Sequence, residues 1–186
     1  MNASENQVEE ISSQELLTTQ EAVTEMIDLG DLKISNKASD VFCTSQLGTG
    51  VALILFDARN RIGGITHIAL PDSNIADTPS SDDQPGKYAN LAIPKLVEQF
   101  NERGGETMTT SVKLVGGAQL FNFGGGGGNI LNIGARNATA IRAALFKIGL
   151  VIEKSDTGGN KNKVVYFKLA SGQVIVNPVG GDAYEI

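Results

Sequence analysis

Val51-Ala-Leu-Ile-Leu-Phe-Asp57, the polar step Ala58-Arg59-Asn60-Arg61, and then Gly63-Gly64-Ile65-Thr66-His67-Ile68-Ala69-Leu70 decide how this chain folds. The first run is almost unbroken apolar, as expected of a strand covered on both faces. The polar residues form a turn, and Gly63-Gly64 are expected to ease the reversal. Ile65–Leu70 reads as the partner strand. A period of two puts Ile65, His67 and Ala69 on one face and Thr66, Ile68 and Leu70 on the other. The pattern is a hairpin whose return strand carries the only histidine of the sequence.

Working outward, Asp72–Gln84 is a polar loop. A helix follows, with Asn90 as its expected N-cap and Pro94 tolerated near the first turn. Ile93, Leu96, Val97 and Phe100 recur at helical spacing, and Gly104-Gly105 ends the helix. Ser111–Val115 is a short strand. A second helix is expected from about Gly134, with Ile141, Ala144, Leu145 and Ile148 as its apolar stripe and Gly149 as its stop. Val151–Glu153 reads as a strand, and Val164–Leu169 with Gln173–Val176 as a hairpin. Strands thus flank two main helices, which predicts an α+β fold with mixed sheets and no internal repeat.

The 186 residues fit one domain, and 41% hydrophobic content suffices for a core without disulfides. The net charge of −6 is concentrated at one end. Residues 1–32 hold eight acidic side chains and no Lys or Arg, whereas the other 154 hold 13 acidic and 15 basic. Residues 1–28 are therefore expected to be an acidic, flexible or partly helical extension, 29–180 the domain, and 181–186 a tail. An acidic leader and the lack of a basic stripe with aromatics argue against nucleic-acid binding. No apolar run is long enough for membrane insertion, and one cysteine fits a reducing cytoplasm.

Three residue types invite chemistry. Gly124–Gly128 lies between a strand and a helix, but no Gly-Lys-Ser/Thr follows, so a flexible loop is the better reading than a phosphate loop. His67 alone excludes a metal site built from several imidazoles, and no cofactor is expected. Hairpin geometry can bring its ring to the Thr44–Gly50 loop, which makes it a candidate base as well as a candidate structural residue. Cys43, within Asp40-Val-Phe-Cys-Thr44, reads first as a small buried hydrophobe.

Several separated motifs carry a family resemblance. Leu47-Gly48-Thr49-Gly50-Val51, Gly63-Gly64-Ile-Thr-His67, Gly86-Lys87-Tyr88-Ala89, Gly116-Gly117-Ala118-Gln119-Leu120-Phe121, Ile133-Gly134-Ala135-Arg136-Asn137 and Asp156-Thr157-Gly158-Gly159 together resemble the chemoreceptor glutamine deamidase family, CheD. The likeness extends over most of residues 29–177. It implies a fold similar to the cytotoxic necrotizing factor deamidase domain, a β-sandwich with helices packed outside. It implies a hydrolase acting on glutamine side chains of chemoreceptor cytoplasmic helices, and a CheC-type phosphatase as a second partner.

The family's catalytic cysteine, histidine and threonine fall here on Gly50, His67 and Thr44. A thiolate must attack the carboxamide carbon, expel ammonia and leave a thioester for water to cleave, and glycine can supply no such group. The expectation is thus a CheD-like protein with impaired chemistry that acts by binding. The alternative is an active deamidase using His67 with Cys43 as substitute nucleophile; Thr49 is a weaker substitute. Adjacent strand residues face opposite sides, so Cys43 is expected to point away if Thr44 points into the site. A third reading gives the working role to the acidic leader. Lys163 stands where the family commonly has arginine, keeping the charge but losing the two-pronged donor.

Overall fold

The computed structural model describes residues 9–75, 84, 86–119 and 132–186. The central pair is β5 (Val51–Asp57) and β6 (Ile62–Ile68), antiparallel with Val51 opposite Ile68 and Ala52 opposite His67. With β3 (Leu32–Ser35), β7 (Ser111–Gly116) and β8 (Lys154–Thr157) they form a five-stranded sheet in the order β3-β6-β5-β7-β8. The second sheet has six strands in the order β1-β11-β10-β9-β4-β2. These are β1 (Glu9–Glu10), β2 (Glu25–Ile27), β4 (Val41–Thr44), β9 (Lys163–Lys168), β10 (Gln173–Pro178) and β11 (Tyr184–Glu185).

The unbroken apolar run in β5 has the meaning its sequence suggested. Val51, Leu53 and Leu55 face one core and Ala52 and Ile54 another, all at most 1% exposed. The first core lies under the helices α2 (Ala89–Glu102) and α3 (Ile133–Lys147), which contribute Ile93, Leu96, Phe100, Ile141 and Leu145. The second lies between the two sheets, where Phe42, Val165, Phe167, Val174 and Val176 meet Ile54, Ile65 and Val115. A helix α1 (Ser13–Glu21) lies over the outer face of the six-stranded sheet, with Leu16 packed against Cys43, Tyr166 and Ile175. The molecule is therefore an α+β sandwich with helices outside both sheets.

Several local expectations are corrected. The reversal after β5 does not use Gly63-Gly64. It is made by residues 58–61, with Arg61 at φ 53° and the buried Asp57 carboxylate accepting from the amides of Arg59 and Asn60. Both glycines instead lie inside β6, where a Cβ would come within 2.8 Å of the Phe167 ring at position 63 and of Ile34 at position 64. Asn90 is not the cap of α2, which starts at Ala89; its side chain bonds Asp72 and Ser73. Pro94 is accordingly in the second turn, and has no N–H to give the Asn90 carbonyl four residues back.

The strand expected at Val151–Glu153 is displaced to Lys154–Thr157, and Val151 is 79% exposed. Ile148 lies beyond α3 and is exposed rather than part of its stripe. The acidic leader is in part woven into the fold from residue 9 onward: β2 runs parallel to β4, and Ile27 is fully buried. The expected tail likewise pairs as β11 with β10 and β1, with Ile186 buried in the inter-sheet core. In the leader and the tail, burial of Ile27 and Ile186 decided where local polarity suggested otherwise. The Gly124–Gly128 run lies outside the described residues.

Candidate functional site

The loop Thr44–Gly50 crosses from β4 in one sheet to β5 in the other, so it is pinned at both ends. Leu47 fills the inter-sheet core and donates its amide to the Lys163 carbonyl at 2.9 Å. The turn then closes with the Gly50 amide on the Leu47 carbonyl at 2.6 Å, helped by Gly48 at φ 51°. Behind it, Gly116 and Gly117 end β7 at φ 116° and 67°, and the Gly117 amide donates to the Gly50 carbonyl at 2.7 Å. A Cβ on Gly116 would strike that carbonyl, which is why the two chain segments can approach so closely.

His67 pairs with Ala52, and so shares its face toward the inter-sheet core. It is 1% exposed, and neither Nδ1 nor Nε2 has a hydrogen-bond partner among the described residues. A Cβ built on Gly50 would stand 2.5 Å from Nε2 and 2.9 Å from Cδ2. The imidazole therefore occupies the space a side chain at position 50 would need. Burial pushes its pKa below the ordinary value. The carbonyls of Leu47 and Ile27 and the carboxylates of Asp28 and Asp31 oppose that shift. Neither carbonyl makes a bond of ordinary geometry with the ring, so the neutral form is favoured.

Thr44 faces the same interior as Phe42, two residues back. Its hydroxyl accepts from the Val165 amide at 3.0 Å, which commits it to joining β4 to β9. Cys43 points the other way, into the cluster of Ile11, Tyr166 and Ile175 beneath α1. Burial raises its thiol to about 11. The structure thus brings Gly50 and His67 together and puts Cys43 on the far face of its sheet, which removes it as a substitute nucleophile for His67 to activate. Lys163 is nearly buried and holds Asp156 at 2.7 Å, while Tyr184 donates to the other oxygen of that carboxylate at 2.6 Å.

One residue received no role from the sequence. Asn137 of α3 is fully buried and donates to the carbonyls of Thr49 at 3.0 Å and Ala69 at 2.8 Å. The signal was present, since Asn137, Ile141 and Leu145 recur every four residues along the buried stripe of the helix.

Fold and site define a class: a two-sheet α+β domain in which a buried imidazole faces a backbone position that lacks a nucleophile. Comparison with known proteins gives the family. The CheD profile, described as chemotactic sensory transduction, matches residues 69–178. The probable chemoreceptor glutamine deamidase CheD of Clostridium novyi is 35% identical over 154 residues, covering 83% of this chain and 92% of that protein. The chemoreceptor glutamine deamidase CheD of Thermotoga maritima is 34% identical over 156 residues, with 84% and 92% covered. A probable counterpart from Moorella thermoacetica is 39% identical over 137 residues, with 74% and 80% covered. The chain belongs to the CheD family.

The profile match begins just beyond His67. By that match membership stands on α2, β7, α3 and the last hairpin, independently of the state of the Gly50 site. Among the described residues no helix is long and apolar enough to cross a membrane, and no cluster of potential metal ligands occurs.

Proposed function

We propose that this CheD-family chain has lost, or very largely lost, glutamine deamidation and acts by recognising the partners of the family fold. Those partners are glutamine-bearing cytoplasmic helices of chemoreceptors or a CheC-type phosphatase. Gly50 and His67 are the residues of the former catalytic pair, with Thr44 facing the same interior. The observation that carries the reading is the fit of the His67 ring into the space where a side chain at position 50 would begin. A base is useful only with a proton to take, and here no thiol offers one.

The backbone supports the same reading. The Gly50 amide is spent on the Leu47 carbonyl, so it is not free to receive a developing oxyanion. The placement of Cys43 beneath α1, with its thiol pushed up, speaks against the alternative of a relocated nucleophile.

The test is ammonia release from glutamine-containing receptor fragments, run beside capture of the same fragments and of a purified CheC-type phosphatase. Wild type is expected to bind one of these and to release no ammonia, and Gly50→Cys to release some. Wild-type turnover at ordinary enzyme rates would overturn the proposal.

A further inference from the structure

The Leu47–Gly50 turn exposes four successive carbonyls, and each is caught by a different group. Leu47 accepts from the Gly50 amide, Gly48 from the Ala118 amide at 2.8 Å, and Gly50 from the Gly117 amide. Among the described residues the Thr49 carbonyl is reached by no backbone donor, and it is held by the Asn137 side chain instead. That same NH2 group holds the Ala69 carbonyl, two residues beyond His67 on the same strand direction. One carboxamide thus spans the two segments whose spacing decides how position 50 stands to the imidazole.

We propose that Asn137 is the positioning residue of this site: it grips the one turn carbonyl that no described backbone amide reaches and sets the turn against the end of β6. The inference rests on taking Gly50 and His67 as the functional site. The orientation of the amide is dictated by its surroundings, because both acceptors are carbonyls and only the NH2 end can face them. Its Oδ1 is buried and unpartnered among the described residues, so the group is not retained for a balanced network of its own. Helix α3 offers the means of holding it still. Gly134 packs so closely on the Gly117 carbonyl that a Cβ could not be fitted there, and Ile141 and Leu145 anchor the next turns in the core.

Amide hydrogen exchange on the full chain tests this. Asn137→Ala is expected to speed exchange at Gly50, Gly117 and Ala118 by about tenfold or more, with Ile54 and Val174 within about twofold of wild type. The lone imidazole of His67 should shift its NMR signals in the same variant. Asn137→Asp keeps the shape but, when ionised, offers no donor. Burial against two carbonyls disfavours its charged form, so the protonated O–H donates to one carbonyl at low pH. Turn protection relative to the two reference amides should fall toward that of the alanine variant as rising pH ionises the group. Uniform loss of protection, an unchanged turn in the alanine variant, an aspartate variant whose turn protection does not change with pH relative to the reference amides, or failure of both variants to fold would each overturn the proposal. Ammonia release is not measured, so an active wild type would refute the proposed function and leave this inference standing.

Discussion

Gly50→Cys places a sulfur at the position facing His67, and the structure sets both its cost and its gain. The new Cβ would lie 2.5 Å from Nε2, where ordinary contact starts at 3.4 Å, so the ring must retreat by about 0.9 Å. The Leu47 carbonyl at 2.9 Å must also yield, and as backbone it yields less readily than a ring. Overpacking of this kind costs about 1–3 kcal/mol. For a chain of this length, a loss of 2 kcal/mol lowers Tm by about 4–8 °C. On the chemical side, absence of a nucleophile from such a unit costs on the order of a millionfold in turnover. A reacting group misplaced by about 1 Å forfeits about a hundredfold of what is regained. Ammonia release from receptor fragments should therefore rise by about 10⁴-fold over wild type while the protein melts earlier. Thermal melting, the NMR signals of the lone imidazole and coupled ammonia detection would be read on the same samples. A variant that melts as wild type with an unmoved ring would refute the steric argument, and equal turnover by the two chains would refute the chemical one.

Three further outcomes follow from the same geometry. Because burial lowers the His67 pKa, the unfolded chain binds a proton near pH 6.5 that the folded chain refuses. Stability is thus complete above that value and falls as the pH drops toward the folded pKa, by at most about 1.4 kcal/mol per pH unit from this group. Urea melts of His67→Gln should lack this component, and identical pH slopes for the two proteins would contradict it. Native Cys43, with its thiol at about 11, should alkylate about a hundredfold more slowly at neutral pH than in the denatured chain; equal rates would show that α1 does not shield it. In Gly134→Ala, helix propensity favours the alanine by about 1 kcal/mol, but the Cβ is driven into the Gly117 backbone at a cost of about 3 kcal/mol or more. A net loss of about 2 kcal/mol in urea melts is expected, and any gain in stability would overturn the packing argument.

What could be read from the sequence was whatever depends on a repeating local pattern. β5 was legible because six successive apolar residues, Val51 to Phe56, are suited to burial on both faces, and α2 because Ile93, Leu96 and Phe100 return to one side every turn. The approach of the His67 ring to the loop ending at Gly50 was also within reach, since a hairpin fixes its own register. Patterns misled where a residue's partner is distant. Gly63 and Gly64 look like turn glycines, yet they make room for Phe167 and for Ile34, contacts no local window contains. The acidic leader looks like a solvated extension, but Ile27 finds the inter-sheet core and β2 finds the edge beside β4. Asn137 went without a role because its two acceptors lie 88 and 68 residues away along the chain.

The sequence by itself determined the central hairpin, the two main helices and the family, because each is a property of residue identity and spacing. Only the tertiary structure decided that the imidazole occupies the space beside Gly50, that Cys43 faces away under a helix, and that one asparagine holds the turn. Those outcomes depend on which faces two sheets present to each other, and that is settled by packing a whole core rather than by any stretch of it.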